Sequence, residues 1–227
     1  MAVIYVLTAL TAVLSVVIVA LENRGVLAVK YVLKATASLC FTMIAVLAIL
    51  KSGFDKWKML VLSALIFGML GDIFLSSENV VDDPKKLPVL NVAGGAFFAV
   101  GHVVYVIWLL RFAGGFNPYT LFALFGVPVV FLALCLLKIM KPGKLLLPVI
   151  AYSAFLGLML TASVNAYVYL ASLRLAPLIL AGGILFTLSD GVLAYYNFGH
   201  KEQKRIKYVY MTAYYAAQLL FAYTLLF

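Results

Sequence analysis

The chain alternates long apolar segments with short polar connections. A helix needs about 20 predominantly apolar residues to cross the hydrocarbon core of a bilayer, and eight segments of the sequence meet this requirement. The pattern therefore predicts one all-α domain over residues 1–227, a polytopic membrane bundle with almost nothing outside it. The predicted spans are Ala2–Leu21, Val26–Leu50, Met59–Leu75, Asn91–Phe112, Tyr119–Met140, Leu145–Val164, Arg174–Asn197 and Tyr208–Phe227.

The composition agrees with a membrane environment. Hydrophobic residues make up 66% of the chain, charged residues 11%, and the mean hydropathy is +1.13. The first span is long enough to cross and lacks the basic start and cleavage site of a signal peptide, so we interpret it as part of the bundle. Cys40 and Cys135 fall within apolar helices and are interpreted as small buried side chains.

The net charge of +9 is better explained by membrane topology than by nucleic acid binding, because the basic residues form no continuous stripe. The connections after helices one, three, five and seven hold ten Lys and Arg residues, against five in the other connections. The positive-inside rule places these ten in the cytoplasm and both termini on the other side. They are Arg24, Lys85, Lys86, Lys138, Lys141, Lys144, Lys201, Lys204, Arg205 and Lys207.

Polar residues interrupt the apolar helices at similar depth. Asp72 lies near the end of helix three in "GMLGDIFLSS", and Asp190 lies in helix seven. With a rise of 1.5 Å per residue, Lys34 is about 12 Å and His102 about 16 Å from the basic side. An ionisable side chain inside a bilayer costs at least a few kcal/mol, so we interpret the group as a functional site in the cytoplasmic half. The other candidates are Tyr105, Tyr152, Ser189, Tyr214, Tyr215 and Gln218.

The two aspartates have similar sequence contexts. "IFGMLGDIFL" at residues 66–75 and "ILFTLSDGVL" at residues 184–193 share Ile, Leu, Asp and Leu at equivalent places. Lys34 precedes Asp72 by 38 residues, and Tyr152 precedes Asp190 by the same number. The pattern predicts a parallel repeat of four plus four helices with a site at the repeat interface. The alternative is that the polar residues only join helices by hydrogen bonds.

Four segments carry a resemblance to a known family. "GDIFL", "GHVVYV", "LFTLSDGVLAYYNF" and "MTAYYAAQLL" resemble the signature segments of the YhhN-like lysoplasmalogenase family in order and helix placement. The resemblance implies a multi-pass membrane hydrolase that cleaves the vinyl ether of lysoplasmalogens to a fatty aldehyde and glycerophosphoethanolamine or glycerophosphocholine. It matches the family's helix-two lysine to Lys34 and its helix-six tyrosine to Tyr152, while Ala37 replaces a nearby proline. It implies the endoplasmic reticulum in a eukaryote or the inner membrane in a bacterium.

Vinyl ether hydrolysis requires a neutral acid and an anionic carboxylate in the same site. Two aspartates in an apolar pocket repel each other and lose solvation, so we expect one of them to keep its proton. Lys34 then balances the charge of the other. We predict that one of Asp72 and Asp190 is the general acid and that the other stabilises the cation and orients water, without distinguishing them. The side chains that would bind the polar head of the substrate or hold the proton network are Lys34, His102, Tyr105, Tyr152, Ser189, Tyr215 and Gln218.

Other functions compete with hydrolysis. An intramembrane aspartyl protease would have glycine where this chain has Met69. A proton-coupled transporter could use the same carboxylates as a relay, and a metal hydrolase could be built on Asp72, Asp190 and His102. We favour a lysophospholipid substrate among membrane lipids, without a cofactor, metal or nucleic acid partner. The sequence leaves the oligomeric state open.

Overall fold

The computed structural model describes residues 1–21, 26–77, 80–83, 85–112, 119–199 and 204–227. Within these ranges the chain forms eight α-helices and no β-strand, so the predicted all-α class is confirmed. A short 3-10 turn at Gly143–Leu145 leads into the sixth helix. The helices are α1 (Ala2–Ala20), α2 (Leu27–Ser52), α3 (Lys56–Ser76), α4 (Leu87–Leu110), α5 (Tyr119–Leu136), α6 (Leu146–Tyr169), α7 (Leu175–Phe198) and α8 (Lys204–Thr224).

Most of these helices are long and apolar enough to cross a membrane. Among the described residues, α1, α2, α3, α4, α6 and α7 meet that requirement in full. Within the residues of α5 whose side chains are described, the apolar segment is Leu124–Leu136. Helix α8 begins with three basic residues in its first four positions. The chain is therefore a polytopic membrane helical bundle.

Four predicted boundaries differ from the structure by four or five residues. Helices α4 and α8 each begin four residues before the prediction, at Leu87 and Lys204, and the ends of α5 and α6 also differ. Helix α5 ends at Leu136, four residues before the prediction, because Lys138 adopts a φ of 57° and the amides of Ile139 and Met140 both donate to the carbonyl of Leu134. Glycine is the usual residue in this left-handed conformation, so a lysine at this position does not predict the break. Helix α6 continues five residues further than predicted and includes the buried polar side chain of Asn165.

Contacts between helix termini show which ends of the helices lie together. Ser52 at the end of α2 donates a hydrogen bond to the carbonyl of Leu225 just after α8, at 2.7 Å. Oδ2 of Asp55, just before α3, lies 3.7 Å from Nη1 of Arg111, just after α4, so the start of α3 lies beside the end of α4. The amide of Lys141 donates to the carbonyl of Phe198 at the end of α7.

One end of the bundle therefore gathers the ends of α1, α3, α5 and α7 and the starts of α2, α4, α6 and α8. We call it the basic end, because it carries most of the connections predicted to face the cytoplasm. Of the ten basic residues in that prediction, Arg24 and Lys201 lie outside the described residues.

The two halves of the chain pack in a similar way. Helices α3 and α4 form one close pair and α7 and α8 the equivalent pair, while α2 packs against α8 as α6 packs against α4. The α3–α4 pair is close because glycines face it: a Cβ added at Gly71 would lie 2.7 Å from Phe98, and one added at Gly94 would lie 2.8 Å from Leu75. This close approach holds α3, which carries Asp72, against α4.

Candidate active site at the basic end of the bundle

A cavity between the helices contains both membrane aspartates. It has a volume of about 480 Å³, which is within the range of about 300–1,000 Å³ typical of small-molecule sites. The polar side chains in its inner part are Lys34, Asp72, Tyr152, Ser189, Asp190 and Tyr214. Side chains from α2, α3, α6, α7 and α8 thus converge on one space.

Asp72 is surrounded by hydrogen-bond donors and one cation. Its Oδ2 accepts hydrogen bonds from Ser38 at 2.6 Å and from Tyr214 at 2.7 Å. The ammonium of Lys34 lies 3.3 Å from Oδ1. The Asp72 side chain is only 3% exposed, so these three groups take the place of water around the carboxylate.

A directed hydrogen-bond chain ends on Asp72. Tyr105 donates to Oε1 of Gln218 at 2.9 Å, and Nε2 of Gln218 donates to the hydroxyl oxygen of Tyr214 at 3.1 Å. Because Tyr214 already accepts from Gln218, its own proton points to Asp72. All three donors along this path are oriented so that Asp72 is the final acceptor.

Asp190 has different partners. The hydroxyl of Tyr152 donates to its Oδ2 at 2.5 Å, and Nε2 of His102 lies 3.7 Å from the same oxygen. The His102 ring is fixed edge-on between Tyr152 and Phe186, at centroid distances of 5.4 and 4.7 Å. No lysine or arginine forms an ion pair with Asp190 within the described part of the chain.

The hydrogen bond at the other ring nitrogen assigns the His102 tautomer. Nδ1 lies 2.7 Å from the carbonyl oxygen of Phe98, and a carbonyl only accepts, so Nδ1 carries a proton. In the neutral imidazole, Nε2 then has a lone pair that faces Asp190. Nε2 is buried and has no hydrogen-bond partner among the residues that the structure describes.

The predicted site residues divide into those at the cavity and those behind it. His102, Tyr105 and Gln218 are fully buried and lie behind Asp190 and Asp72, which they reach directly or through Tyr214. Ser189 lines the cavity, but its hydroxyl donates to the backbone carbonyl of Tyr210 and so joins α7 to α8. The Tyr215 hydroxyl is buried beside Ser38 without a hydrogen bond of regular geometry to any described residue.

The sequence prediction missed one residue of the Asp72 site and gave too little weight to another. Ser38 lies one helical turn after Lys34 on α2, and Tyr214 lies one turn before Gln218 on α8. Residues four apart share a helix face, so this spacing could have identified both. The prediction instead chose Tyr215 as the site tyrosine of α8.

Metal ligation needs several donor side chains at one point. Across the described residues, no group of three or more His, Cys, Asp and Glu side chains is arranged to hold a metal ion. The alternative built on Asp72, Asp190 and His102 therefore has no support in the geometry. These residues instead form two separate environments, one around each carboxylate.

Comparison with known proteins now agrees with the resemblance seen in the sequence. No solved structure matches the chain. The human protein named lysoplasmalogenase TMEM86B is 38% identical over 133 residues, which is 59% of this chain and 53% of that protein, so the chain spans about half the length of the curated relative it matches. The YhhN family model matches residues 29–225, from the first turn of α2 to the end of α8. The chain belongs to the YhhN family.

Proposed function

We propose that this protein hydrolyses the vinyl ether bond of lysoplasmalogens and releases a fatty aldehyde with glycerophosphoethanolamine or glycerophosphocholine. Membership of the YhhN family and the name of its human relative support this reaction class. The observation that carries the proposal is the pair of carboxylates on one cavity, one beside an ammonium and the other beside an imidazole.

The reaction requires proton transfer to carbon. An acid protonates the vinyl carbon that is not bonded to oxygen, and the other vinyl carbon becomes part of an oxocarbenium ion. Water adds to this cation and loses a proton, which gives a hemiacetal. The carbon–oxygen bond to the glycerol then breaks as the hemiacetal hydroxyl gives up its proton and the glycerol oxygen takes one up. One water is consumed, and an aldehyde and an alcohol are formed.

Asp190 is the proposed acid. If Asp190 were ionised beside a neutral His102, two lone pairs would face each other across 3.7 Å in a buried site. A proton on Asp190 removes this repulsion. The Asp190 O–H bond breaks as the new C–H bond forms, and the resulting carboxylate then takes a proton from the attacking water. The acid is thereby regenerated at the end of each turnover.

Asp72 is the proposed anion. Lys34, Ser38 and Tyr214 all direct hydrogens towards its oxygens, which stabilises a fixed negative charge in an apolar surrounding. A preorganised anion stabilises the positive charge that develops on the oxocarbenium ion, and this kind of electrostatic effect is usually large. With Asp72 ionised, Lys34 protonated and Asp190 neutral, the resting site has no net charge.

The position of the site suits a single-chain amphiphile. Apolar side chains line the same cavity, among them Leu75, Phe98 and Leu193, and we propose that the alkenyl chain lies against them. The basic end is the proposed cytoplasmic face of the endoplasmic reticulum or a bacterial inner membrane. A substrate in that leaflet reaches the carboxylates without moving its polar head across the bilayer.

A substrate comparison tests this function. Purified protein in detergent micelles is given lysoplasmenylethanolamine, its saturated-ether analogue and an ester lysolipid of the same chain length. Aldehyde is expected from the first compound only, because the saturated ether has no double bond to protonate. No aldehyde from the vinyl ether, or fatty acid from the ester, would contradict the proposal, and uphill lipid uptake driven by a proton gradient would favour a transporter.

A further inference from the structure

A second cavity lies on the outer side of the bundle. It is an open groove of about 730 Å³ between α5 and α6 on one side and α7 and α8 on the other. On α7, Asp190 and Leu193 line the cavity that contains both aspartates, whereas Leu188 and Gly191 line the groove. Opposite faces of one helix therefore serve two separate cavities. We call the second one the outer groove, and its apolar walls include Leu134, Leu160, Ile184, Leu188, Gly191 and Val209.

The outer groove exists because one helix stands apart and one residue lacks a side chain. Across the described residues, α5 packs against α6 but not against α7 or α8. A Cβ added at Gly191 would meet no atom within 4 Å. The space between α5 and the α7–α8 pair is therefore left unfilled by the protein.

The middle of the groove is apolar and opens towards the bilayer. Ile184 and Leu188 are about half exposed, and they lie on α7, which is long and apolar enough to cross a membrane. The hydroxyl of Thr187, also in the lining, already donates to the carbonyl of Gly183 at 2.9 Å. Lipid tails are as apolar as leucine, so this part of the groove suits a hydrocarbon chain.

The basic end of the groove carries positive charge. Arg205, in the first turn of α8, is exposed and lines the groove. None of the described lining residues is acidic, and Arg205 forms no ion pair with a carboxylate in the described part of the chain. Lys141 adds a second cation beside the end of α7, where its amide donates to the carbonyl of Phe198. This end of the groove therefore favours an anion.

We propose that the outer groove binds one acyl chain of an anionic diacyl phospholipid, with the phosphate of that lipid against Arg205. From Ile184 to Tyr195 the groove follows α7 for 11 residues, which is about 16 Å. One leaflet provides about half of the 30 Å hydrocarbon core. The groove thus matches a lipid of the leaflet at the basic end in both length and charge.

A second copy of the chain fits the same groove less well. Most soluble dimers are two-fold symmetric, and in a membrane such an axis along the normal puts both basic ends on the same side. Two copies packed on this groove would bring their Arg205 side chains towards each other, and like charges in weakly polar surroundings repel strongly. An anionic lipid instead neutralises the charge.

Quenching of tryptophan fluorescence by brominated lipids tests this site. Leu188→Trp places a reporter in the groove, and the protein without this substitution, which has two tryptophans, gives the background. The protein is placed in phosphatidylcholine vesicles that contain increasing fractions of phosphatidylglycerol with brominated acyl chains. We expect phosphatidylglycerol to be enriched at the reporter about tenfold over its fraction in the vesicle, the effect of one charged hydrogen bond.

Arg205→Gln should abolish this enrichment, so that quenching follows the fraction of phosphatidylglycerol in the vesicle. Arg174→Gln is the matched control, because it removes an exposed arginine at the opposite end of the bundle, outside the groove. It should leave the tenfold enrichment unchanged.

Gly191→Leu should fill the groove and lower quenching by brominated phosphatidylglycerol and brominated phosphatidylcholine alike. Gly95→Leu on α4 is its control, since that position also faces open space but lies outside the groove. Because Arg205 is exposed, Arg205→Gln tests the site even if Gly191→Leu does not fold.

No enrichment of phosphatidylglycerol over phosphatidylcholine, equal effects of Arg205→Gln and Arg174→Gln, or undiminished quenching in folded Gly191→Leu would overturn the lipid site. Weak quenching by both lipids in a protein that has the mass of two chains would show a second copy in the groove and would also overturn it. None of these measurements depends on aldehyde release.

Discussion

Asp72 and Asp190 occupy equivalent positions in the two halves of the chain, but their surroundings differ in charge. Each aspartate is contacted by the residue 38 positions before it in the chain. The Lys34 ammonium lies 3.3 Å from Asp72, whereas the Tyr152 hydroxyl donates a hydrogen bond to Asp190 at 2.5 Å. A cation in one half is thus replaced by a neutral hydroxyl in the other. The last helix of the opposite half adds Tyr214 to Asp72 and His102 to Asp190.

In the proposed reaction this difference gives the two carboxylates different functions. A carboxylate that accepts from an ammonium and two hydroxyls is stabilised as an anion. A carboxyl beside a tyrosine and the lone pair of an imidazole is suited to hold a proton. The same helical framework, used twice with different partners, would then supply an acid and an anion on one cavity.

Asp190→Asn is the change with the largest expected effect. Without the acid we expect kcat to fall by about 10³-fold or more, since general acid catalysis contributes up to about 10⁴-fold. The amide oxygen of Asn can still accept from Tyr152, so the thermal unfolding temperature should change little. Aldehyde release and unfolding are measured on the same preparation, and substantial activity in Asp190→Asn contradicts its assignment as the acid.

Asp72→Asn is expected to lower kcat by about 10²–10³-fold, the effect of losing one electrostatic contact to a transition state. Unlike Asp190→Asn, it should also destabilise the fold by about 3 kcal/mol, because it leaves the Lys34 ammonium without its partner. Adding Lys34→Met should restore the stability but not the activity. Equal unfolding temperatures for the two Asn variants would show that the carboxylates do not differ in charge partners.

Tyr214→Phe and Tyr215→Phe compare two adjacent tyrosines on α8. Tyr214 donates to Asp72, and loss of a hydrogen bond to a charged group is expected to lower kcat by about tenfold. Tyr215→Phe should have a clearly smaller effect. Steady-state kinetics of both variants test the difference, and a larger loss from Tyr215→Phe would mean that the Asp72 environment is wrongly described.

Gly68→Ala has the smallest expected effect, since it acts on Asp72 only indirectly, through Gln218 and Tyr214. The new Cβ would lie 2.5 Å from Nε2 of Gln218, so the amide must move and the chain to Tyr214 is disturbed. We expect a loss of about 1 kcal/mol in stability and a few-fold lower kcat. Gly95→Ala on α4 meets no atom within 4 Å and is the control. Equal stability and equal kcat in the two variants would show that Gln218 does not support the hydrogen bond from Tyr214 to Asp72.

The existence and approximate position of the eight helices could be predicted from the lengths of the apolar segments. The bilayer thickness fixes how long an apolar segment must be, and all eight predicted spans overlap a helix of the structure. The shared spacing of 38 residues predicted equivalent positions in the two halves, and in the structure Lys34 contacts Asp72 and Tyr152 contacts Asp190.

The remaining features depend on tertiary packing. Adjacent residues on a helix point about 100° apart, so only the rotation of α8 in the bundle decides that Tyr214 rather than Tyr215 reaches Asp72. The left-handed Lys138 that ends α5 has no sequence signal. In the proposed mechanism, Asp190 holds the proton because Nδ1 of His102 donates to a backbone carbonyl and leaves a lone pair on Nε2. No residue pattern reveals that hydrogen bond.

Infrared difference spectroscopy can show whether Asp190 holds a proton while Asp72 is ionised, because a protonated carboxylic acid has a carbonyl stretching band that a carboxylate lacks. The purified protein near neutral pH should show one such band from the membrane interior. We expect the band to disappear in Asp190→Asn and to persist in Asp72→Asn. A band that is lost in Asp72→Asn and kept in Asp190→Asn would show that Asp72 is the acid and Asp190 the anion.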